Sequence, residues 1–89
     1  MNYIEAVGRR LSELLKQAHF TQTKFAKDSK TSRVTVNTTI NGKVKSVSFE
    51  MLILFCKTLN ITLREFFNSD LFNDDIELSE KKKGMRINS

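Results

Sequence analysis

The chain has 89 residues, enough for one small domain and too few for a second core. Its 39% hydrophobic and 28% charged residues make a globular mixture and exclude a disordered polypeptide, and 15 Lys and Arg against 10 Asp and Glu leave a net charge of +5. With no Pro and three Gly, it is too poor in turn residues for a many-stranded sandwich or barrel.

Ile4, Val7, Leu11, Leu14, Leu15 and Ala18 recur at spacings of three and four. This predicts an amphipathic helix over Tyr3 to Ala18, with Arg9, Arg10, Glu13 and Lys16 on its outer side. His19-Phe20 ends it, and the Thr21 hydroxyl caps a short second helix over Gln22 to Ser29, with Phe25 and Ala26 inward. Lys30-Thr31 is a break. Ser32 then caps a third helix over Arg33 to Asn41, whose inner side carries Val36, Thr39 and Ile40. Asn41-Gly42 stops it, since both residues tolerate positive φ. Residues 43–47 form a loop; the alternation from Val44 to Phe49 resembles a strand but lies between a helix stop and an N-cap. Ser48 caps a fourth helix with the apolar stripe Phe49, Leu52, Ile53, Cys56 and Leu59, and Glu50 in its first turn suits the helix dipole. Asn60 stops that helix. Thr62 and Glu65 form a capping box for a fifth helix carrying Leu63, Phe66 and Phe67. From Asp70 to Ser89 the periodicity is weak, with Leu71, Phe72, Ile76 and Leu78 set among acids, and Glu80 to Ser89 is expected to be disordered. The expected fold is all-α: a five-helix domain over residues 1–69 and a short, partly disordered C-terminal tail over 70–89.

The charge excess is concentrated. Between Thr21 and Lys45 stand Lys24, Lys27, Lys30, Arg33, Lys43 and Lys45 against the single acid Asp28. Such a field suits a polyanion. The same segment, residues 21–42, reads as a short helix, a sharp turn and a second short helix with a polar leading edge. Major-groove reading needs that pattern: one helix straddles the backbone while the next presents its N-terminal side chains to base edges in a groove about 12 Å wide. The leading residues here are Ser32, Arg33, Val34 and Thr35, followed by Asn37 and Thr38.

An enzyme is not expected. His19 is the only histidine and Cys56 the only cysteine. Cys56 lies on an apolar helix face and reads as a small core residue, while His19 at a helix end suits the C-terminal dipole. The sequence has no metal-ligand cluster, no Gly-rich phosphate loop and no spaced carboxylate pair, so no cofactor, metal or small-molecule ligand is expected. One cysteine cannot form an internal disulfide, no apolar run approaches the about 20 residues of a membrane span, and Met1 to Ala6 does not read as a signal peptide. The expectation is a cytoplasmic protein with no membrane partner.

Six stretches follow in a common order and register: Val7-Gly8-Arg9-Arg10-Leu11, Phe20-Thr21-Gln22-Thr23-Lys24-Phe25-Ala26, Thr31-Ser32-Arg33-Val34-Thr35-Val36-Asn37, Asn41-Gly42-Lys43, Phe49-Glu50-Met51-Leu52, and Leu59 through Phe67. Over residues 4–67 the chain thereby resembles the XRE family, the lambda-repressor-like (Cro/CI-type) helix-turn-helix transcriptional regulators of bacteria and phages. The resemblance implies a sequence-specific double-stranded DNA-binding regulator, a repressor in kind. It would place its third helix in the major groove as a homodimer on a two-fold operator. It puts Arg33 and Val34 at the leading base-reading positions with Thr38 one turn later, and Asn37 joins them as a base contact. Arg33 can pair with guanine or grip a phosphate; Val34 suits a thymine methyl. By the same resemblance Gln22 contacts a phosphate, and its amide can bond the first residue of the recognition helix. Thr23, Ser32, Thr35, Asn41, Lys43 and Lys45 complete the expected backbone contacts.

The chain departs from the family at several places. Lys30 stands where a turn glycine is usual, at a cost of about 1 kcal/mol if φ is positive. Ser29 and Thr31 replace Leu and Val, Leu15 replaces a basic residue, and Val47 replaces Pro. Two other uses of the charge and fold are open: a protein-interaction or antitoxin-type module, and a non-specific nucleic-acid binder. The uncharged face of Ser32, Thr35, Asn37 and Thr38 speaks against the last, and the basic segment against the first. Phe66, Phe67, Leu71 and Phe72 are the expected dimer contact, because a small core cannot absorb so many aromatic side chains. The alternative is that Phe66 closes the core and Leu71 and Phe72 fold back over the first helix.

Overall fold

Side-chain caps and left-handed residues set where the helices begin and end. The structure, a computed structural model, describes residues 1–73. Its helices are α1 (Tyr3–Gln17), α2 (Gln22–Ser29), α3 (Arg33–Ile40), α4 (Phe49–Leu59) and α5 (Leu63–Phe66). Asn2, Thr21, Ser32, Ser48 and Thr62 each accept a hydrogen bond from the backbone N–H three residues on. Asn2–Glu5 and Thr62–Glu65 close reciprocally as capping boxes. At the other ends His19, Lys30, Gly42 and Asn60 adopt φ of 59°, 60°, 68° and 61°. After each, a backbone N–H returns to a carbonyl in the preceding helix: Phe20 to Leu15, Thr31 to Ala26, Lys43 to Thr38 and Ile61 to Cys56, at 2.9–3.0 Å. α1 and α3 stop at Gln17 and Ile40, one residue short of the expected ends, and Ala18 is exposed rather than part of the buried stripe. Residues 43–47 are loop, as expected. Ile76, Leu78 and the tail from Glu80 onward lie outside the described residues.

The core has two connected parts. Leu11 and Leu15 of α1, Phe25 and Ala26 of α2, Val36 of α3 and Phe55 of α4 form one. Val7 and Leu14 of α1, Leu52 and Cys56 of α4, and Phe66 of α5 form the other. Phe25 meets Phe55 with ring centroids 5.1 Å apart, and Phe20 meets Phe25 edge-on at 5.5 Å. Leu15 is therefore core, a buried aliphatic side chain where the resemblance leads one to expect a basic residue. The stripe expected on α4 is displaced. Phe49, its first residue, is 63% exposed, and Phe55 is fully buried instead.

Two features of α1 hold the other helices in place. An ideal Cβ on Gly8 would lie 2.5 Å from the Thr39 carbonyl oxygen and 2.6 Å from that of Ile40. α3 therefore crosses α1 at a separation that only glycine permits. Arg10, expected on the outer side, turns inward instead, with its side chain 13% exposed. Its Nε donates to the Phe66 carbonyl at 2.7 Å and its Nη2 to that of Glu65 at 2.8 Å, while Nη1 pairs with Glu13 at 3.2 Å. A guanidinium thus satisfies the terminal carbonyls of α5 and the negative end of its dipole.

Gly8→Ala is expected to destabilise the domain by about 2–3 kcal/mol, the upper part of the overpacking range. By circular dichroism the melting temperature should fall by roughly 10 °C or more. An unchanged melting temperature would mean that the α3 carbonyls yield without cost.

Candidate nucleic-acid interface

The two helices of the expected motif are joined by a three-residue turn. Lys30 holds φ 60° and ψ 35° at the end of α2, the conformation for which the family usually supplies glycine. The turn keeps its shape although its side chains are polar. Ser29 is buried, and its hydroxyl lies 3.4 Å from the Ala26 carbonyl and 2.9 Å from Thr31 Oγ1. The hydroxyl is thereby satisfied without the apolar contact that Leu would make.

α3 has two unlike sides. Val36 and Thr39 are fully buried, and the Thr39 hydroxyl donates to the Thr35 carbonyl at 2.8 Å. On the other side Arg33, Val34 and Asn37 line one depression, with Val34 70% exposed. Ser32 Oγ accepts from the Thr35 N–H at 3.0 Å and meets Thr35 Oγ1 at 2.9 Å. The Thr38 hydroxyl donates to the Val34 carbonyl at 2.8 Å and lies 3.2 Å from that of Thr35, which leaves its oxygen with acceptor capacity only.

The expected partner of Gln22 is not the one found. Its side chain meets Asn37, the fifth residue of α3, and not Arg33: Asn37 Nδ2 donates to Gln22 Oε1 at 3.2 Å. Asn41 Nδ2 in turn donates to Asn37 Oδ1 at 3.2 Å. Lys24, Lys27, Lys30, Arg33, Lys43 and Lys45 are all exposed, and Lys24 pairs with Asp28 at 3.3 Å. Thr23 is exposed on the first turn of α2.

The four residues expected at a dimer contact separate. Phe66 is fully buried and belongs to the core. Phe67 is 40% exposed and sits edge-on to both Phe66 and Phe72, at 5.2 Å and 4.8 Å. Leu71 and Phe72 are half-buried, and Phe72 packs on the cluster that contains Val7 and Leu14 of α1. Cys56 is buried, and desolvation pushes its thiol pKa up. No group of three metal-ligating side chains and no helix long and apolar enough to cross a membrane occurs among the described residues.

Lys30→Gly is expected to stabilise the domain by about 1 kcal/mol by removing the left-handed penalty. Thermal unfolding should shift up by about 4–8 °C. A lower melting temperature would mean that the lysine side chain itself holds the turn.

Comparison with known proteins agrees with this geometry. The chain is similar to the restriction-modification controller protein C.AhdI from Aeromonas hydrophila. The crystal structure of that protein superposes with a TM-score of 0.67 at 28% identity, covering 72% of this chain and 96% of that one. No curated protein sequence matches. The family model of the Cro/C1-type helix-turn-helix DNA-binding domain matches residues 10–70, a span that takes in the turn at Lys30 and both helices beside it. The chain belongs to that family and is a DNA-binding transcription regulator.

Proposed function

We propose that the chain is a sequence-specific repressor that binds duplex DNA as a homodimer through a domain over residues 1–69. The start of α3 enters the major groove, and the tail contributes to pairing. The main support is the split character of α3, where fully buried Val36 and Thr39 back a side on which Val34 is 70% exposed beside Arg33. A valine side chain this exposed gains little burial in the free domain, but against a thymine methyl it gains apolar contact. Arg33 makes no side-chain hydrogen bond or ion pair among the described residues, so its fork is available for the O6 and N7 of guanine. Thr38 offers an acceptor to an exocyclic amine. Gln22, Thr23, Ser32, Thr35, Asn41, Lys43 and Lys45 grip the backbone. Likeness to a restriction-modification controller protein supports the regulatory role. Repression follows from occupancy, since a protein seated in the groove of a promoter excludes polymerase, and the protein acts in the cytoplasm of a bacterium or phage-infected cell.

Two measurements test the proposal. On a duplex enriched from a random pool, Arg33→Ala should cost about 1–3 kcal/mol and flatten the preference at one base pair. Lys43→Ala should weaken all duplexes alike and reduce the salt slope by about one unit. Uniform weakening by Arg33→Ala, with every base preference intact, would remove Arg33 from base reading. For the dimer, the exposed edge of Phe67 and the neighbouring Leu71 and Phe72 are the proposed surface, and Phe66 supports it from beneath. Sedimentation should show a dimer on DNA that Phe67→Ser weakens; a wild-type monomer both free and on DNA would contradict pairing.

A further inference from the structure

We infer that Asn37 is a positioning residue and not a base reader: it holds the Gln22 amide with its two N–H groups turned to a DNA phosphate. The inference rests on the DNA-binding reading above. Three side-chain amides form one chain, in which Asn41 donates to Asn37 and Asn37 donates to Gln22, each at 3.2 Å. Asn37 and Asn41 are one turn apart on α3, so the first link is local. The second link joins α3 to the first residue of α2. Every donation runs the same way. The chain therefore ends with Gln22 Oε1 used as an acceptor, and Gln22 Nε2 has no acceptor among the described residues.

The direction matters for a polyanion. Were the chain reversed, Gln22 would donate to Asn37 and present its carbonyl oxygen outward, where a phosphate oxygen would repel it. A phosphate thus selects the polarity that is present, and Asn37 fixes it in advance. Preorganisation of this kind removes part of the side-chain ordering cost of binding. Asn37 then has one amide hydrogen left, and a bidentate contact to adenine needs both a donor and an acceptor. Its Oδ1 already accepts from Asn41, so a bidentate contact to adenine would have to share both Asn37 groups with Gln22 and Asn41 or break those bonds. Base reading on this face is left to Arg33, Val34 and Thr38.

The test uses the full chain and its enriched duplex, with Asn37→Ala, Asn37→Asp, Gln22→Ala and the double variant Gln22→Ala/Asn37→Ala. Asn37 is exposed, and thermal unfolding verifies that each variant is folded. Asn37→Ala should weaken binding about threefold to tenfold, the size of one hydrogen bond. The loss should be equal on the enriched duplex and on every single-base variant of it. The salt slope should not change, because no charge is lost. Asn37→Asp should weaken binding at least as much, since an aspartate accepts from Gln22 and turns its carbonyl outward. The double variant should bind no worse than Gln22→Ala alone. Replacing phosphates one at a time by uncharged methylphosphonates should reveal one position that weakens the wild type but not Gln22→Ala or Asn37→Ala.

A changed base preference in Asn37→Ala would overturn the positioning role while leaving the sequence-reading proposal standing. So would additive losses in the double variant, or a methylphosphonate profile for Asn37→Ala identical to the wild type. A wild type that binds all duplexes equally would overturn the sequence-reading proposal itself and, with it, the role of Asn37.

Discussion

The close approach of α3 to α1 at Gly8 is the constraint on which the rest of the structure depends. α3 is eight residues long and contains three threonines, two valines and an isoleucine, so it has little helical tendency of its own. It is a helix because Ser32 caps it, Val36 and Thr39 are buried beneath it, and its last carbonyls lie against the bare Cα of Gly8. Any side chain at position 8 would lift its C-terminal end and tilt the opposite end, which carries Arg33 and Val34. The scaffold thus fixes the direction of the reading face through a contact more than twenty residues away in sequence.

Polar groups do much of the holding elsewhere. Arg10 reaches across to close α5 with bonds to two backbone carbonyls, so the aromatic corner of Phe66, Phe67 and Phe72 is tied to the first helix by a charged side chain. Ser29 and Thr31 satisfy one another in the turn between α2 and α3. Hydrogen bonds of this kind add only modestly when made, but leaving a buried donor or acceptor without a partner costs more. This asymmetry explains how a turn with so little apolar character keeps the shape its family uses.

Much of this was legible in the sequence where the signal is local. Thr21, Ser32, Ser48 and Thr62 announce helix starts because a cap needs only a hydroxyl and the next three residues. The spacing of Val7, Leu11 and Leu14 marks the buried side of α1. Helix ends were readable to within a residue at His19, Lys30, Gly42 and Asn60. What residue type does not advertise is that His19 and Lys30 take the left-handed conformation against their intrinsic preference, held by backbone bonds. Phe49 and Phe55 both fit an apolar stripe, and only the position of α4 within the domain decides between them. Arg10 reads as a surface residue because its partners lie 55 and 56 residues away. At the interface the basic segment and the polar leading edge of α3 were readable; the bond from Asn37 to Gln22 was not, since it depends on the angle between two helices.

The most direct test is chemical-shift mapping of the isotope-labelled protein during titration with its enriched duplex at near-physiological salt. If α3 enters the major groove, the largest amide changes should fall on Gln22 to Lys24, Ser32 to Thr38 and Lys43 to Lys45, with α1 little affected. Changes centred on α4 and α5, with Ser32 to Thr38 unmoved, would contradict the account.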